Sequence, residues 1–378
     1  MKISILQKNF KQGLGLVGSI TGKHVNLPIL NNILIRAENG IINLVSTNLE
    51  IGVTHVIRGK IEKEGGYTVD SKILANYVGL LPNEKVEIEQ KDAQIIIRCG
   101  KYNTKINGQP VDDFPLIPVI GREIFYAIKN VDDFKNALSQ VIFSVSTSES
   151  RLELSGALFS FSGDKLVLAA TDSYRLAEKR ITVKTNAKDG AERKVIVPAR
   201  TIQEMIRILS GLGESEMMEE EKEIKCFFSE NQILFKIGGT ELVSRLIDGQ
   251  FPDYAQIIPE KPRTTIIVNR QEFLRAVKAS SIFTRSDVND INLDIPEGKS
   301  KLVISSSSDF VGENVVEVEA AAKGADNCLV LNYRYLIDGL NNIKDETVIM
   351  EIVDNNSPCV IRPESDSDYL YIIMPIKR

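Results

Sequence analysis

Phe10-Lys11-Gln12-Gly13-Leu14, Phe134-Lys135-Asn136-Ala137-Leu138 and Phe273-Leu274-Arg275-Ala276-Val277 are three versions of one helix-like segment, aligned without gaps. Their starts at 10, 134 and 273 are 124 and 139 residues apart. The repeating unit is therefore a whole domain, not a solenoid element of about 20–50 residues. Phe10, Leu14 and Val17 form an apolar stripe at helical spacing, and Phe134, Leu138 and Val141 repeat it. In the third copy Phe273 and Val277 keep the stripe and Ser280 weakens it. A small residue follows each Phe by three (Gly13, Ala137, Ala276), which predicts close packing of this helix on a neighbour. Lys11, Lys135, Arg275 and Lys278 point away from the stripe.

A second alignment tests the repeat. Val69-Asp70-Ser71-Lys72, Val197-Pro198-Ala199-Arg200 and Leu331-Asn332-Tyr333-Arg334 start at 69, 197 and 331, steps of 128 and 134. Apolar residues follow in step: Leu74, Ile202 and Leu336, then Val78, Ile206 and Leu340, then Leu81, Leu209 and Ile343. At about 100° per residue these share one helical face. Lys72, Arg200 and Arg334 fall nearly opposite that face, and Arg207 joins them in the second copy. A lone surface cation is usually only solvated. Three in register on related domains favour a shared anionic partner. Between the helices lie Val- and Ile-rich strands such as Ile95–Cys99, Leu166–Ala170 and Val348–Ile352. The expectation is an α+β fold of three similar two-helix/sheet domains, at 1–124, 125–258 and 259–378. Proline marks each domain end, at Phe114-Pro115, Phe251-Pro252 and Met374-Pro375.

The bulk composition agrees. The 378 residues divided by three give 126 per domain, and 43% apolar with 26% charged residues is ordinary for globular domains. The longest apolar runs fall far short of the ~20 residues of a membrane span. The N-terminus, Met1-Lys2-Ile3-Ser4-Ile5-Leu6, is too short an apolar run for a signal peptide and reads as a strand, so a cytoplasmic protein is expected. Cys99, Cys226, Cys328 and Cys359 are isolated from one another, and His24 and His55 are not spaced as ligands, so no metal and no cofactor are expected. The net charge of −5 argues on average against nucleic acid, unless the positive charge is gathered on one face.

Three motifs are decoys. Gly13-Leu14-Gly15-Leu16-Val17-Gly18 matches a dinucleotide fingerprint, but the repeat places it inside a helix. Gly18 to His24 resembles a P-loop, yet it is one residue short and His24 replaces the magnesium-holding hydroxyl. Thr171-Asp172-Ser173-Tyr174-Arg175-Leu176 offers a serine, but both histidines lie in another domain, and an Asp-centred turn is the plainer reading. The acidic run Glu214 to Glu223 reads as a solvated loop.

Four segments then carry a resemblance: Leu27-Pro28-Ile29-Leu30, Ala170 to Ala177, Ile247-Asp248-Gly249-Gln250-Phe251-Pro252-Asp253-Tyr254, and Ile373-Met374-Pro375-Ile376. In order and spacing the chain resembles the bacterial DNA sliding clamps, the β subunits of replicative polymerase III. The resemblance implies the DNA clamp fold, with two chains closed head to tail into a homodimeric ring around duplex DNA. Lys11, Lys23, His24, Lys72, Lys135, Arg151, Arg200, Arg207, Arg275, Lys278 and Arg334 would then face the DNA without reading its sequence. It also implies a pocket for linear peptides, formed by Leu154, Thr171, Tyr174, Arg175, Leu176, Pro252, Ile257, Ile372, Met374, Pro375 and Ile376. There Leu176, Ile257 and Met374 would offer a trough, and Tyr174 and Arg175 polar edges. The implied partners are the polymerase III α subunit, the clamp loader, other polymerases, ligase and mismatch-repair proteins, and no membrane. Thr104 and Ile106 of one chain would meet Ile282 and Phe283 of the other. No catalytic residue is implied.

Overall fold

The computed structural model describes every residue except 23–25, 149, 188–191, 213–221, 260, 285–287, 297, 299 and 378. Two helices recur in each third of the chain: α1 (Gln7–Val17), α2 (Ser71–Leu80), α3 (Val131–Ile142), α4 (Ala199–Gly211), α5 (Arg270–Ser281) and α6 (Tyr333–Asn342). Four of them open on a capping side chain, since Asp70, Asn130, Asn269 and Asn332 each accept backbone N–H groups of the first turn. Their buried faces are largely the apolar stripes of the sequence. In α4, however, Ile206 is only partly covered, and Met205 and Ile208 complete the buried face beside Ile202 and Leu209. Ser280, the weak point of the α5 stripe, is fully buried. Its hydroxyl donates to Asn314 at 3.0 Å and its carbonyl accepts from Ser306 at 2.7 Å. Gly13 is small for a reason: a Cβ there would stand 3.0–3.1 Å from Ile57, His55 and Leu44.

Each third also carries antiparallel strands, and two joints fuse them across domain boundaries. Residues Thr240–Ser244 pair with Ile51–His55 at the first joint, and Tyr369–Ile373 pair with Arg175–Lys179 at the second. The resulting sheets have 14 and 12 strands among the described residues. The helices form one layer against them, in the order α2, α1, α4, α3, α6, α5. Neighbours pack within each domain, α1 meets α4 across the first joint, and Arg175 bridges Phe143 after α3 to Tyr335 in α6. The linkers run from the Tyr102–Gln109 strand to the Tyr126–Ile128 strand, and from the Thr240–Arg245 strand to the Thr264–Asn269 strand. The boundaries expected at 124/125 and 258/259 fall within them. Most of the acidic run at 214–223 lies outside the described residues.

Candidate functional site

Lys72, Arg200 and Arg334 are the second residues of α2, α4 and α6, and all three are exposed. A cation in the first turn of a helix opposes the helix dipole. Placing one at the same turn of three helices does not serve helix stability and points to an anion outside the chain. Lys11, Arg275 and Lys278 are exposed on α1 and α5. Two expected members of this set are committed elsewhere. Arg207 donates to the carbonyl oxygens of Gly15, at 2.7 Å, and Leu16, and its guanidinium also grips Glu204. It is a strut between domains 1 and 2, because the carbonyls ending α1 are free to accept. Lys135 is half-buried and held by Asp132 at 2.6 Å. Arg151 is exposed but donates to Glu153 at 3.0 Å and to Ser173 at 2.9 Å. Lys23 and His24 lie outside the described residues.

The second joint assembles the expected pocket residues, but not as an open trough. Leu154, Leu176, Ile372 and Pro375 are buried. Leu176 and Ile372 belong to an apolar cluster with Val360 and Leu370, roofed by Tyr254 and Ile258 of the linker. The accessible apolar surface comes instead from Tyr174 and Ile257, with partial exposure of Pro252, Met374 and Ile376. Asp172 makes the turn that presents Tyr174. Its Oδ1 accepts from the N–H groups of Tyr174, at 2.9 Å, and Arg175, at 3.0 Å, while Ser173 takes a φ of +80°. Thr171 fixes the same turn, since its hydroxyl donates to the Arg175 carbonyl at 2.7 Å. Met374 is pinned alongside, its N–H donating to the Tyr174 carbonyl at 2.8 Å.

Arg175 is not a polar rim. Its side chain is 12% exposed, bonded to Asp172 at 3.0 Å and, across the joint, to Asp338 of α6 at 2.5 Å. Burial alone would lower its pKa. Tyr371, Asp338 and Asp172 outweigh that and hold it above the usual arginine value. Two further contacts accompany it, the first across the domains and the second between the linker and its own domain. Lys179 meets Asp366 at 2.5 Å, and the Tyr254 hydroxyl donates to the buried Glu178 at 2.6 Å. Burial and the Glu178 carboxylate push the Tyr254 phenol well up. Asp338, Asp366 and Glu178 were not singled out by sequence. The partners lie 163, 187 and 76 residues apart, too far for any local pattern to signal the pairing.

Thr104 and Ile106 sit on the Tyr102–Gln109 strand, and Ile282 and Phe283 follow the end of α5, at the opposite extreme of the chain's layer. Ile282 is exposed, Phe283 and Thr104 are half-buried, and Ile106 is 8% exposed. Among the described residues, no cluster of three or more His, Cys, Asp or Glu side chains is placed to hold a metal ion, and no helix is long and apolar enough to cross a membrane.

Comparison with known proteins bears on the whole chain. Residues 1–118, 129–253 and 255–377 match the N-terminal, central and C-terminal domain descriptions of the DNA polymerase III beta subunit. A beta sliding clamp of Staphylococcus epidermidis is 26% identical over 387 aligned residues, covering 100% of this chain and 99% of its own. One of Staphylococcus aureus is 28% identical over 362, covering 93% and 92%. The crystal structure of the DNA polymerase sliding clamp from Bacillus subtilis superposes with a TM-score of 0.91 at 27% identity, over 100% of this chain and 99% of that one. The DNA polymerase III beta subunit of Thermotoga maritima gives 0.90 at 26%, with the same coverage.

Proposed function

The chain belongs to the DNA polymerase III beta subunit family, and from that premise we propose that it is a replication processivity clamp acting in the cytoplasm. Two chains close head to tail into a ring around duplex DNA. The ring slides, performs no bond-making chemistry, and holds the polymerase near its template, turning repeated encounters into one high effective concentration. The observation that supports this most is the layer of six helices, with Lys72, Arg200 and Arg334 at the same turn of α2, α4 and α6. In a ring that layer lines the hole, and the cations meet phosphates without reading bases. The remaining acidic excess stays on the outside.

Linear segments of the polymerase α subunit, the clamp loader, other polymerases, ligase and mismatch-repair proteins dock at the second joint. Tyr174, Ile257, Pro252 and Met374 form the apolar lip that receives their anchors, and methionine adapts to varied side chains. Leu176, Ile372 and Leu154 act from beneath as its floor, and Arg175 holds the two domains that carry it. A separate loader opens the ring.

Retention on nicked circular DNA tests the reading. The loaded protein is expected to stay on the circle and to leave when the circle is cut, by running off the ends. Reversing Lys72, Arg200 and Arg334 to Glu lowers loading and flattens its salt dependence. Equal retention on circular and linear DNA would sink the ring.

A further inference from the structure

The central domain carries a row of lysines on the sheet face turned away from its core. Antiparallel pairing sets Lys184, Ala127, Lys225, Lys236 and Glu241 side by side on neighbouring strands. One step along those strands, Tyr126, Cys226, Phe235 and Leu242 are buried in the core, so the side chains of the row point outward. Lys129, two residues beyond Ala127, stands beside Lys184, and Arg122 of the linker reaches Glu241 at 2.9 Å. Lys129, Lys184 and Arg122 are exposed, and Lys225 and Lys236 are half-buried.

These five cations share two carboxylates. Lys225 meets Glu223 at 3.6 Å, and Lys236 meets Glu241 at 3.2 Å, the same carboxylate that Arg122 holds. Lys129 and Lys184 have no ion-pair partner among the described residues. The Lys129 ammonium holds the Lys184 pKa down, outweighing the attraction of Glu223. Stability of the sheet does not account for the row. Lys225 lies directly opposite Lys236, and like charges across a strand pair oppose the pairing. A lysine on an edge strand keeps a sheet from joining another, which suits Lys184, but Lys225 and Lys236 are on interior strands. Lys225 also caps the Phe125 ring, with its ammonium 5.0 Å from the centroid, and that contact leaves Lys236 unexplained. In a chain of net charge −5, the local excess of cations runs against the average.

We propose that this row is a second docking surface, separate from the lip at the second joint, and that its occupant is an acidic linear segment of a partner protein. The choice of occupant rests on charge complementarity. Glu223 and Glu241 already sit on the row at ion-pair distance, so its spacing accepts carboxylates. Strands lie about 4.8 Å apart, so Lys184 to Lys236 spans roughly 14 Å, room for two or three same-side Asp or Glu residues of an extended segment. Single-stranded nucleic acid fits less well, because its bases need open aromatic faces to stack on. Of the rings beside the row, Phe227 is buried and Phe125 is capped by Lys225. The surface lies within one domain and does not depend on ring closure.

The full-length protein and a fluorescein-labelled oligoglutamate peptide test the proposal by anisotropy. Binding is expected, and added salt should weaken it steeply. Changing Lys184→Gln, Lys225→Gln and Lys236→Gln together should weaken it roughly tenfold, and Arg at the same three positions should keep it. A polymerase-derived apolar peptide should bind the triple Gln variant as it binds the wild type, which shows that the fold and the second joint are intact. Carbodiimide cross-linking, mapped by mass spectrometry, should join the oligoglutamate to Lys184, Lys225 or Lys236. A wild type that does not bind, a triple Gln variant that binds equally well, or cross-links confined to Lys72 and the other cations of the helix layer would each overturn the proposal. So would a triple Gln variant that loses more affinity for labelled oligothymidine than for oligoglutamate, since the face would then belong to nucleic acid.

Discussion

The first and second joints share a backbone register and differ in almost every side chain that fills it. Gly52 at the first joint corresponds to Leu176 at the second, since they face Thr47 and Thr171 respectively. Ile117, in the linker after Phe114-Pro115, lies over Gly52, where Tyr254, after Phe251-Pro252, covers Leu176. Apolar contacts among Ile120, Phe227, Leu234 and Val243 complete the first joint, with Arg207 tied to backbone carbonyls. The second joint relies on Arg175–Asp338, Lys179–Asp366 and Tyr254–Glu178. A joint held by an apolar plug has nothing left to offer a ligand. One held by ion pairs beneath can leave Tyr174, Ile257 and Met374 exposed. The two joints therefore differ by side-chain substitution within a shared geometry, not by a new fold element.

The sharpest way to break this contrast is to remove Arg175. Arg175→Ala leaves Asp172 and Asp338 facing each other without their cation, and removing one member of a buried pair costs about 3–5 kcal/mol. Asp338 is 45% exposed, so water offsets part of that, and a loss of about 2–4 kcal/mol is expected. Thermal unfolding should show it, and a polymerase-derived peptide should bind far more weakly by fluorescence anisotropy. Arg175→Lys keeps the charge but loses the planar fork, and so recovers only part of each. Unchanged unfolding in Arg175→Ala would show that the second joint does not depend on its ions.

A smaller effect is expected from making the first joint resemble the second. A Cβ on Gly52 would come within 2.8 Å of the Ile117 Cδ1. Gly52→Leu therefore overfills the joint, at about 1–3 kcal/mol. Ile117→Ala in the same chain makes room and should return most of the melting temperature. If Gly52→Leu alone is neutral, Ile117 is not a plug and the contrast between the joints weakens.

The repeat, the six helices and the register of Lys72, Arg200 and Arg334 were legible in sequence because each rests on short-range periodicity. Arg207 and Arg175 were misjudged for one reason. Outward helical phase and a loop position both read as solvent exposure, but the chain folds another domain against them. The Gly15 and Leu16 carbonyls and the Asp338 carboxylate come from 192, 191 and 163 residues away. Leu176 was expected to line a trough and Ile372 to belong to the same pocket, and the linker covers both. No local pattern shows that Tyr254 turns inward, because its hydroxyl is satisfied by Glu178, 76 residues away.

The smallest predicted difference between the joints is their response to acid. His55 sits in the first joint, opposite Thr240, with Nδ1 2.8 Å from the threonine hydroxyl and its ring against Gly13. Burial pushes its pKa down from 6.5 to about 4. The folded chain thus keeps the imidazole neutral where the unfolded chain would protonate it. Stability from this group is complete above pH 6.5 and is lost progressively as the pH falls from there towards 4. Between pH 7 and pH 5 the loss is roughly 1–2 kcal/mol. The corresponding position in the second joint is Lys179, so no imidazole step arises there. Urea unfolding at pH 7 and pH 5 should show the loss in the wild type, and His55→Gln, which cannot titrate but can still bond Thr240, should remove it. If His55→Gln keeps the full slope, the acid sensitivity belongs to carboxylates elsewhere, and the neutral packing assigned to the first joint does not distinguish it from the second.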